Sequence, residues 1–249
     1  MKLLTKPKSI KLQYSFLYFV GGALLFLLTE RLVLPFLQDA GVSYLGLFMM
    51  MALPHMIFFF VALLAFRIEG QPMTWEAFKS RFRYQPIRGK MWLWAILIII
   101  TNIGLYLAVY KLGYSVVKQV HDFFPTPEII TQVMGDGETF VGHAIKGNWW
   151  LLAVHFFYFF FNICGEEFLW RGYLFPRQEL THGKYTWIVH GLLWTIFHLF
   201  APYNALLVLP GALFMAYVVQ RTKNNTLFLL SHAVINGIPI VGLLLKIIG

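Results

Sequence analysis

Long apolar runs separated by short polar stretches dominate the chain. A helix needs about 20 mostly apolar residues to cross a bilayer, because each residue adds about 1.5 Å against a hydrocarbon layer about 30 Å thick. The pattern predicts an all-α polytopic transmembrane helical bundle with about seven spans, and eight spans are the alternative. The predicted spans cover residues 14–37, 44–66, 91–110, 149–166, 186–200, 205–220 and 227–248.

Composition supports a membrane protein and excludes two other classes. The 249 residues are 59% hydrophobic and only 12% charged, whereas a soluble domain carries roughly 25% charged residues. Intrinsic disorder and an ordinary soluble fold are therefore excluded, and residues 1–249 are interpreted as a single membrane domain. The lone cysteine, Cys164, leaves no partner for an intramolecular disulfide.

The positive charge marks the predicted orientation of the chain in the membrane. The formal net charge is +9, and most of the 20 Lys and Arg residues fall in alternate loops. Cytoplasmic loops are enriched in Lys and Arg, so the N-terminus is predicted in the cytoplasm and the C-terminus outside. The charge therefore does not indicate nucleic acid as a partner. Residues 67–90 are predicted to be a basic cytoplasmic loop with an interfacial helix.

Three charged residues lie at the end of the fourth predicted span. Glu166, Glu167 and Arg171 follow an aromatic helix, where each charge costs about 3 kcal/mol unless it is paired or hydrated. Glu167 and Arg171 are four residues apart and are predicted to pair on one helix face. Glu166 points about 100° away from that pair, which leaves its carboxylate available for chemistry.

Two further polar groups lie in later spans. His198 is surrounded by apolar residues, and His232 and Asn236 are four residues apart on one helix face. Together with Glu166 they provide a carboxylate to accept a proton, an imidazole to hold a water, and donors for an oxyanion. Glu166, His198 and His232 are also possible metal ligands, and zinc is the candidate metal.

These motifs, in this order, resemble the CAAX protease and bacteriocin-processing (CPBP, or Abi) family of intramembrane proteases, which includes the type II CAAX prenyl endopeptidases. The family motif Glu-Glu-x-x-x-Arg matches Glu166 to Arg171, and the motif His-x-x-x-Asn matches His232 to Asn236. The motif Phe-x-x-x-His matches at His198 but has Trp194 in place of Phe. The resemblance covers roughly residues 150–240, the predicted motif-bearing catalytic core.

The resemblance implies a membrane endopeptidase acting at the cytosolic side. It implies that Glu166 and His198 activate a water, that His232 and Asn236 stabilise the oxyanion, and that Glu167 and Arg171 give structural support. The expected site is a conical cavity open to the cytosol. The hydrolase type, glutamic or metallo, stays open at this point.

The resemblance also implies partners and a location. The expected partners are membrane lipids and a lipidated or membrane-associated peptide, including a prenylated protein, and the expected location is the bacterial inner membrane. An alternative function is a non-proteolytic membrane scaffold or a bacteriocin self-immunity protein. A third alternative, a transporter with Glu166 as a proton relay, is disfavoured because no matching discontinuous half-repeats are visible.

Other histidines have simpler interpretations. His55 follows Pro54 and is predicted to cap a helix kink. His155 lies eleven residues before Glu166 and is interpreted as a packing residue.

Overall fold

The computed structural model describes residues 7–249, which form a helical bundle. Lys2 and Lys6, part of the positive charge on which the predicted cytoplasmic N-terminus rests, lie outside the described residues. The predicted all-α class is confirmed, with one short antiparallel pair of strands, β1 (Thr139–Phe140) and β2 (His143–Ala144). The α-helices are α1 (Leu12–Leu28), α2 (Leu34–Asp39), α3 (Tyr44–Met51), α4 (Leu53–Ile68), α5 (Trp75–Arg81), α6 (Met91–Leu112), α7 (Tyr114–Phe123), α8 (Glu128–Met134), α9 (Trp150–Glu166), α10 (Phe175–His182), α11 (Thr186–Phe197), α12 (Pro202–Thr222) and α13 (Thr226–Ile248).

Short segments of other helix types connect several of these helices. A π-helical segment, Thr29–Val33, joins α1 to α2, and a second, Glu167–Leu174, joins α9 to α10. Tighter 3₁₀ turns at Gly183–Tyr185 and His198–Phe200 flank α11. π-Helical turns are uncommon in proteins, and those that occur are often at functional sites. The second segment, Glu167–Leu174, contains Glu167 and Arg171.

Within residues 7–249, six helical segments are long and apolar enough to cross a membrane. They are Leu12–Asp39, Tyr44–Ile68, Met91–Leu112, Trp150–Phe200, Pro202–Thr222 and Thr226–Ile248. The predicted spans 149–166 and 186–200 both fall in the helical segment Trp150–Phe200. In the second of them, α11 has 12 residues and is only about 18 Å long. It packs along α12 as a seventh, shorter helix. The described residues contain no further helix that is long enough for an eighth span.

An aromatic core surrounds the π-helical segment after α9. Trp170 from that segment stacks on Phe19 of α1, with ring centroids 4.4 Å apart. It also meets Phe58 of α4 at 4.9 Å and Phe197 of α11 at 5.3 Å. Offset and edge contacts of this kind add to the free energy of apolar burial. This core therefore fixes α1, α4 and α11 around the segment that contains the charged motif.

The predicted basic loop, residues 67–90, packs closely against the bundle. Helix α5 begins at Thr74, whose hydroxyl accepts a hydrogen bond from the Ala77 amide at 3.3 Å. Phe78 and Phe82 are buried against the aromatic core. Trp75, in contrast, is 62% exposed. The contact of this helix with a membrane surface stays a prediction.

Arg81 is one of the cations of the predicted basic loop, but its side chain is buried and only 2% of the residue is exposed. Its Nε and Nη2 donate to the two carboxylate oxygens of Glu69 at 2.6 and 2.8 Å. Its Nη1 donates to the backbone carbonyl of Gly172 at 3.0 Å, within the π-helical segment. A planar guanidinium can make several such bonds at once, so Arg81 joins the loop to the charged segment.

We expect Arg81→Ala to lower the free energy of unfolding by about 3 kcal/mol, because it removes the buried guanidinium that donates to both the Glu69 carboxylate and the Gly172 carbonyl. Thermal unfolding of the purified protein in detergent measures the change. Arg88→Ala is the matched control, since Arg88 is an exposed arginine of the same loop. Equal unfolding temperatures for the two variants would contradict the structural role of Arg81.

Candidate active site

A cavity of about 570 Å³ lies inside the bundle. Its wall includes all four predicted catalytic residues, Glu166, His198, His232 and Asn236. Glu166 is the last residue of α9, His198 follows α11, and the other two lie one turn apart on α13. The fold thus brings together on one cavity side chains that are up to 70 positions apart in the sequence.

Glu167 and Arg171 lie beside this cavity and are buried. Arg171 Nη1 is 3.5 Å from Glu167 Oε1, as the spacing predicts, and also 4.0 Å from Glu166 Oε2. The expectation that Glu166 is free of this pair is therefore wrong, because one guanidinium is long enough to reach both carboxylates. The guanidinium lies over the rings of Trp194 and Phe228, 4.3 and 3.9 Å from their centroids.

The Glu166 carboxylate accepts hydrogen bonds at both oxygens. Oε2 accepts from the indole N–H of Trp194 at 3.1 Å, and Oε1 accepts from Asn162 Nδ2 at 3.3 Å. His55 Nε2 lies 3.6 Å from Oε1. Hydrogen bonds from neutral donors favour the ionised carboxylate. The site therefore holds Glu166 in one orientation, with its negative charge supported from two sides.

His198 has a defined tautomer. Its Nδ1 is 2.8 Å from the backbone carbonyl oxygen of Trp194. A carbonyl oxygen can only accept, so Nδ1 is the protonated nitrogen. In the neutral ring, Nε2 then keeps a free lone pair. His198 is thus able to accept a proton or a hydrogen bond at Nε2.

His232 is held between a carboxylate and an amide. Its Nδ1 lies 2.8 Å from Glu167 Oε1, which accepts the ring N–H. Its Nε2 lies 3.0 Å from Asn236 Nδ2, and that same amide nitrogen donates to Asn162 Oδ1 at 2.8 Å. Glu167 therefore contacts both Arg171 and His232, a second partner that the helix spacing did not indicate.

Comparison with protein families agrees with this geometry. The family model described as Rce1-like, type II CAAX prenyl endopeptidase, matches residues 148–238. The match covers 91 of the 249 residues and supports membership of the CAAX protease family. The resemblance inferred from the three motifs is thereby confirmed. No curated protein and no solved structure shows a significant match to the chain.

Trp194 is the one departure of this Rce1-like region from the motifs quoted above. A phenylalanine at this position would have no hydrogen-bond donor, whereas the Trp194 indole donates to Glu166. The ring also meets the His198 ring edge-on, with centroids 4.3 Å apart. The departure thus supplies an additional contact to the central carboxylate of the Rce1-like region.

Two cavity residues were not identified as site residues from the sequence, His55 and Asn162. His55 does follow the helix break at Ala52, as predicted, but its side chain faces Asn162 and Glu166 and does not cap the kink. Asn162 precedes Glu166 by one helical turn, and this spacing is a signal that was available. His55 lies outside the matched Rce1-like region, and only the packing of α4 against α9 places it there.

The three candidate zinc ligands, Glu166, His198 and His232, are not grouped for metal binding in this structure. No cluster of three His, Cys, Asp or Glu side chains with suitable geometry occurs within residues 7–249. His232 Nε2, the nitrogen that a metal would need, already accepts from the Asn236 amide. Zinc binding by Glu166, His198 and His232 stays a prediction.

We expect Trp194→Phe to lower the free energy of unfolding by about 1.5–3 kcal/mol, the usual value of a hydrogen bond to a charged group. The substitution keeps an aromatic ring and removes the indole donor to Glu166. Trp187→Phe is the matched control, because Trp187 is partly buried and packs on Tyr217. Thermal unfolding in detergent makes the comparison, and the prediction fails if both substitutions lower the midpoint equally.

Proposed function

We propose that the protein is an intramembrane endopeptidase of the CAAX class that hydrolyses a peptide bond with a water activated by Glu166 and His198. The proposal depends chiefly on the convergence of Glu166, His198, His232 and Asn236 on one buried cavity. The match of residues 148–238 to Rce1-like proteins supports the reaction class.

In the first step, the water loses a proton to Glu166 while its oxygen bonds to the substrate carbonyl carbon. His198 Nε2 accepts a hydrogen bond from the second hydrogen, which stays on the water oxygen, and so orients the water; Nε2 is free to accept because Nδ1 donates to the Trp194 carbonyl. The proton then passes from Glu166 to the leaving nitrogen as the C–N bond breaks. General acid–base assistance of this kind accelerates a reaction by about 10²–10⁴-fold.

Asn236 and His232 stabilise the negative charge on the carbonyl oxygen. In the resting site, Asn236 Nδ2 is committed to Asn162 and to His232. His232 has a donor at Nε2 only when its ring is protonated, and the Glu167 carboxylate at 2.8 Å stabilises that cation. In the reactive form His232 already carries this proton, so its Nε2–H and one N–H of Asn236 both donate to the carbonyl oxygen as it becomes negative, and no proton has to be supplied during the step.

The substrate is a lipidated or membrane-associated peptide, and it is cleaved near its own C-terminus. The cavity has the size of a small-molecule site, and much of its wall is apolar, including Ile103, Leu107 and Ile238. Leu107 and Ile238 are also exposed on the bundle surface. An apolar chain attached to the peptide would therefore meet an apolar path from the bilayer to Glu166.

A cytoplasmic N-terminus is part of the proposal, and the positive-inside distribution of Lys and Arg supports it. The bacterial inner membrane is the proposed location. The conical shape of the cavity and its opening to the cytosol are likewise part of this proposal.

Cleavage of a farnesylated peptide ending in Cys-aliphatic-aliphatic-X tests the function directly. Purified protein in liposomes is expected to release the C-terminal tripeptide, which mass spectrometry detects. Glu166→Gln keeps the shape of the side chain but removes the base, so we expect at least a 10³-fold lower kcat. His198→Ala is expected to reduce kcat by about 10²-fold or more.

Matched controls separate catalysis from folding. Glu76→Gln and His143→Ala change the same residue types at exposed positions and are expected to retain full cleavage. Full cleavage by Glu166→Gln would overturn the mechanism. Binding of the peptide without cleavage by the wild-type protein would instead favour the non-proteolytic scaffold.

A further inference from the structure

His55 is a buried polar residue that the proposed reaction does not use. It lies in the first turn of α4, after Pro54, and only 2% of it is exposed. It reaches the cavity because α4 and α9 approach closely at Gly165. A Cβ on Gly165 would lie 2.3 Å from the His55 carbonyl oxygen, so only glycine fits this contact.

The polar contacts of the His55 ring point toward the catalytic carboxylate. Its Nε2 is 2.9 Å from Asn162 Nδ2 and 3.6 Å from Glu166 Oε1. The remainder of the ring meets the edges of aromatic side chains, Phe26 at 4.7 Å and Tyr158 at 5.3 Å between centroids. Among the described residues, Nδ1 has no hydrogen-bond partner. Nε2 is therefore the side of the ring that makes its polar interactions.

Asn162 joins three of the site residues through one amide group. Its Nδ2 carries two hydrogens, which are directed to His55 Nε2 and to Glu166 Oε1. Its Oδ1 accepts from Asn236 Nδ2 at 2.8 Å. If the amide were turned by 180°, its oxygen would face the Glu166 carboxylate and its nitrogen would face the Asn236 donor. The His55 lone pair favours the observed orientation by accepting one N–H.

We propose that His55 is a positioning residue that acts through Asn162 to hold the Glu166 carboxylate and the Asn236 amide in their reactive orientations. The role in catalysis rests on the proposed function above. His55 supplies an acceptor to Asn162 and takes no part in the proton transfer. The matched Rce1-like region does not include it, so this part of the site comes from the N-terminal half of the chain.

Replacement of the acceptor tests the proposal by kinetics. His55→Leu is expected to lower kcat on the farnesylated peptide by about 10- to 100-fold, because small displacements of reacting groups have effects of this size. KM should change less than about twofold on the same reasoning, since substrate contacts remain. His55→Gln retains an acceptor in a side chain of similar reach and is expected to restore most of kcat.

His155→Leu is the matched control, a buried histidine of α9 that packs against Phe48 and Phe140 outside the cavity. It is expected to leave kcat unchanged. If His55→Gln is as defective as His55→Leu, or if KM rises as much as kcat falls, the positioning role is wrong. Thermal unfolding of each variant identifies any that fail to fold.

A double substitution tests whether Asn162 carries the effect. Asn162→Leu should lower kcat at least as much as His55→Leu, because it removes the group that joins His55 to Glu166. The double variant should then be no slower than Asn162→Leu alone, since the two act in series. Independent, multiplying losses would show that His55 acts by another route.

A spectroscopic measurement tests the contact without any cleavage. In ¹⁵N-histidine-labelled protein, the His55 resonances are assigned by their loss in His55→Gln. Asn162→Leu removes the donor to Nε2 and is expected to shift that resonance, while exposed His143 stays unchanged. If the wild-type protein does not cleave the peptide, this measurement still decides the contact, and an unshifted His55 signal would overturn it.

Discussion

Two adjacent buried carboxylates, Glu166 and Glu167, set the constraint on which the centre of this protein depends. A charge inside an apolar bundle is costly unless other groups compensate it. Arg171 reaches both carboxylates, and each carboxylate also accepts hydrogen bonds from a different helix. The compensation therefore comes from α9, α11 and α13 together, and the site exists only where these helices meet.

The same arrangement gives the two glutamates different surroundings. Glu166 lines the cavity and is held by the neutral donors of Trp194 and Asn162. Glu167 faces away from it, between Arg171 and His232. A one-residue difference along a helix turns side chains by about 100°, so one carboxylate of the Glu-Glu pair lines the cavity and the other meets Arg171 and His232. Arg171 contacts both carboxylates, and its burial between two aromatic rings fixes its position.

Packing around the site explains how polar groups can be held so closely in an apolar bundle. Trp170 is surrounded by aromatic rings from α1, α4 and α11, which leaves the neighbouring charged side chains little freedom. Gly165 brings the backbones of α4 and α9 together next to Glu166. On the other side, Arg81 donates to the backbone of the π-helical segment. Positioning of the motif thus depends on elements well outside it.

The sequence alone was sufficient for the helical membrane class, most of the span positions and the three motifs. Apolar run length determines whether a helix can cross a bilayer, and a buried charge is recognisable in a single sequence. The pairing of Glu167 with Arg171 also followed from local helix geometry. The fifth predicted span, 186–200, corresponds to α11, which is apolar but has only 12 residues.

Only the tertiary structure decided which groups share the cavity. His55 is 111 positions before Glu166, and its local sequence indicated only a helix kink. Arg81 looked like a loop cation but is buried against Glu69. Helical periodicity determines contacts within one helix, whereas the partner across a helix interface depends on packing between distant segments. The motif residues could therefore be named from the sequence, but their hydrogen-bond partners came from the fold.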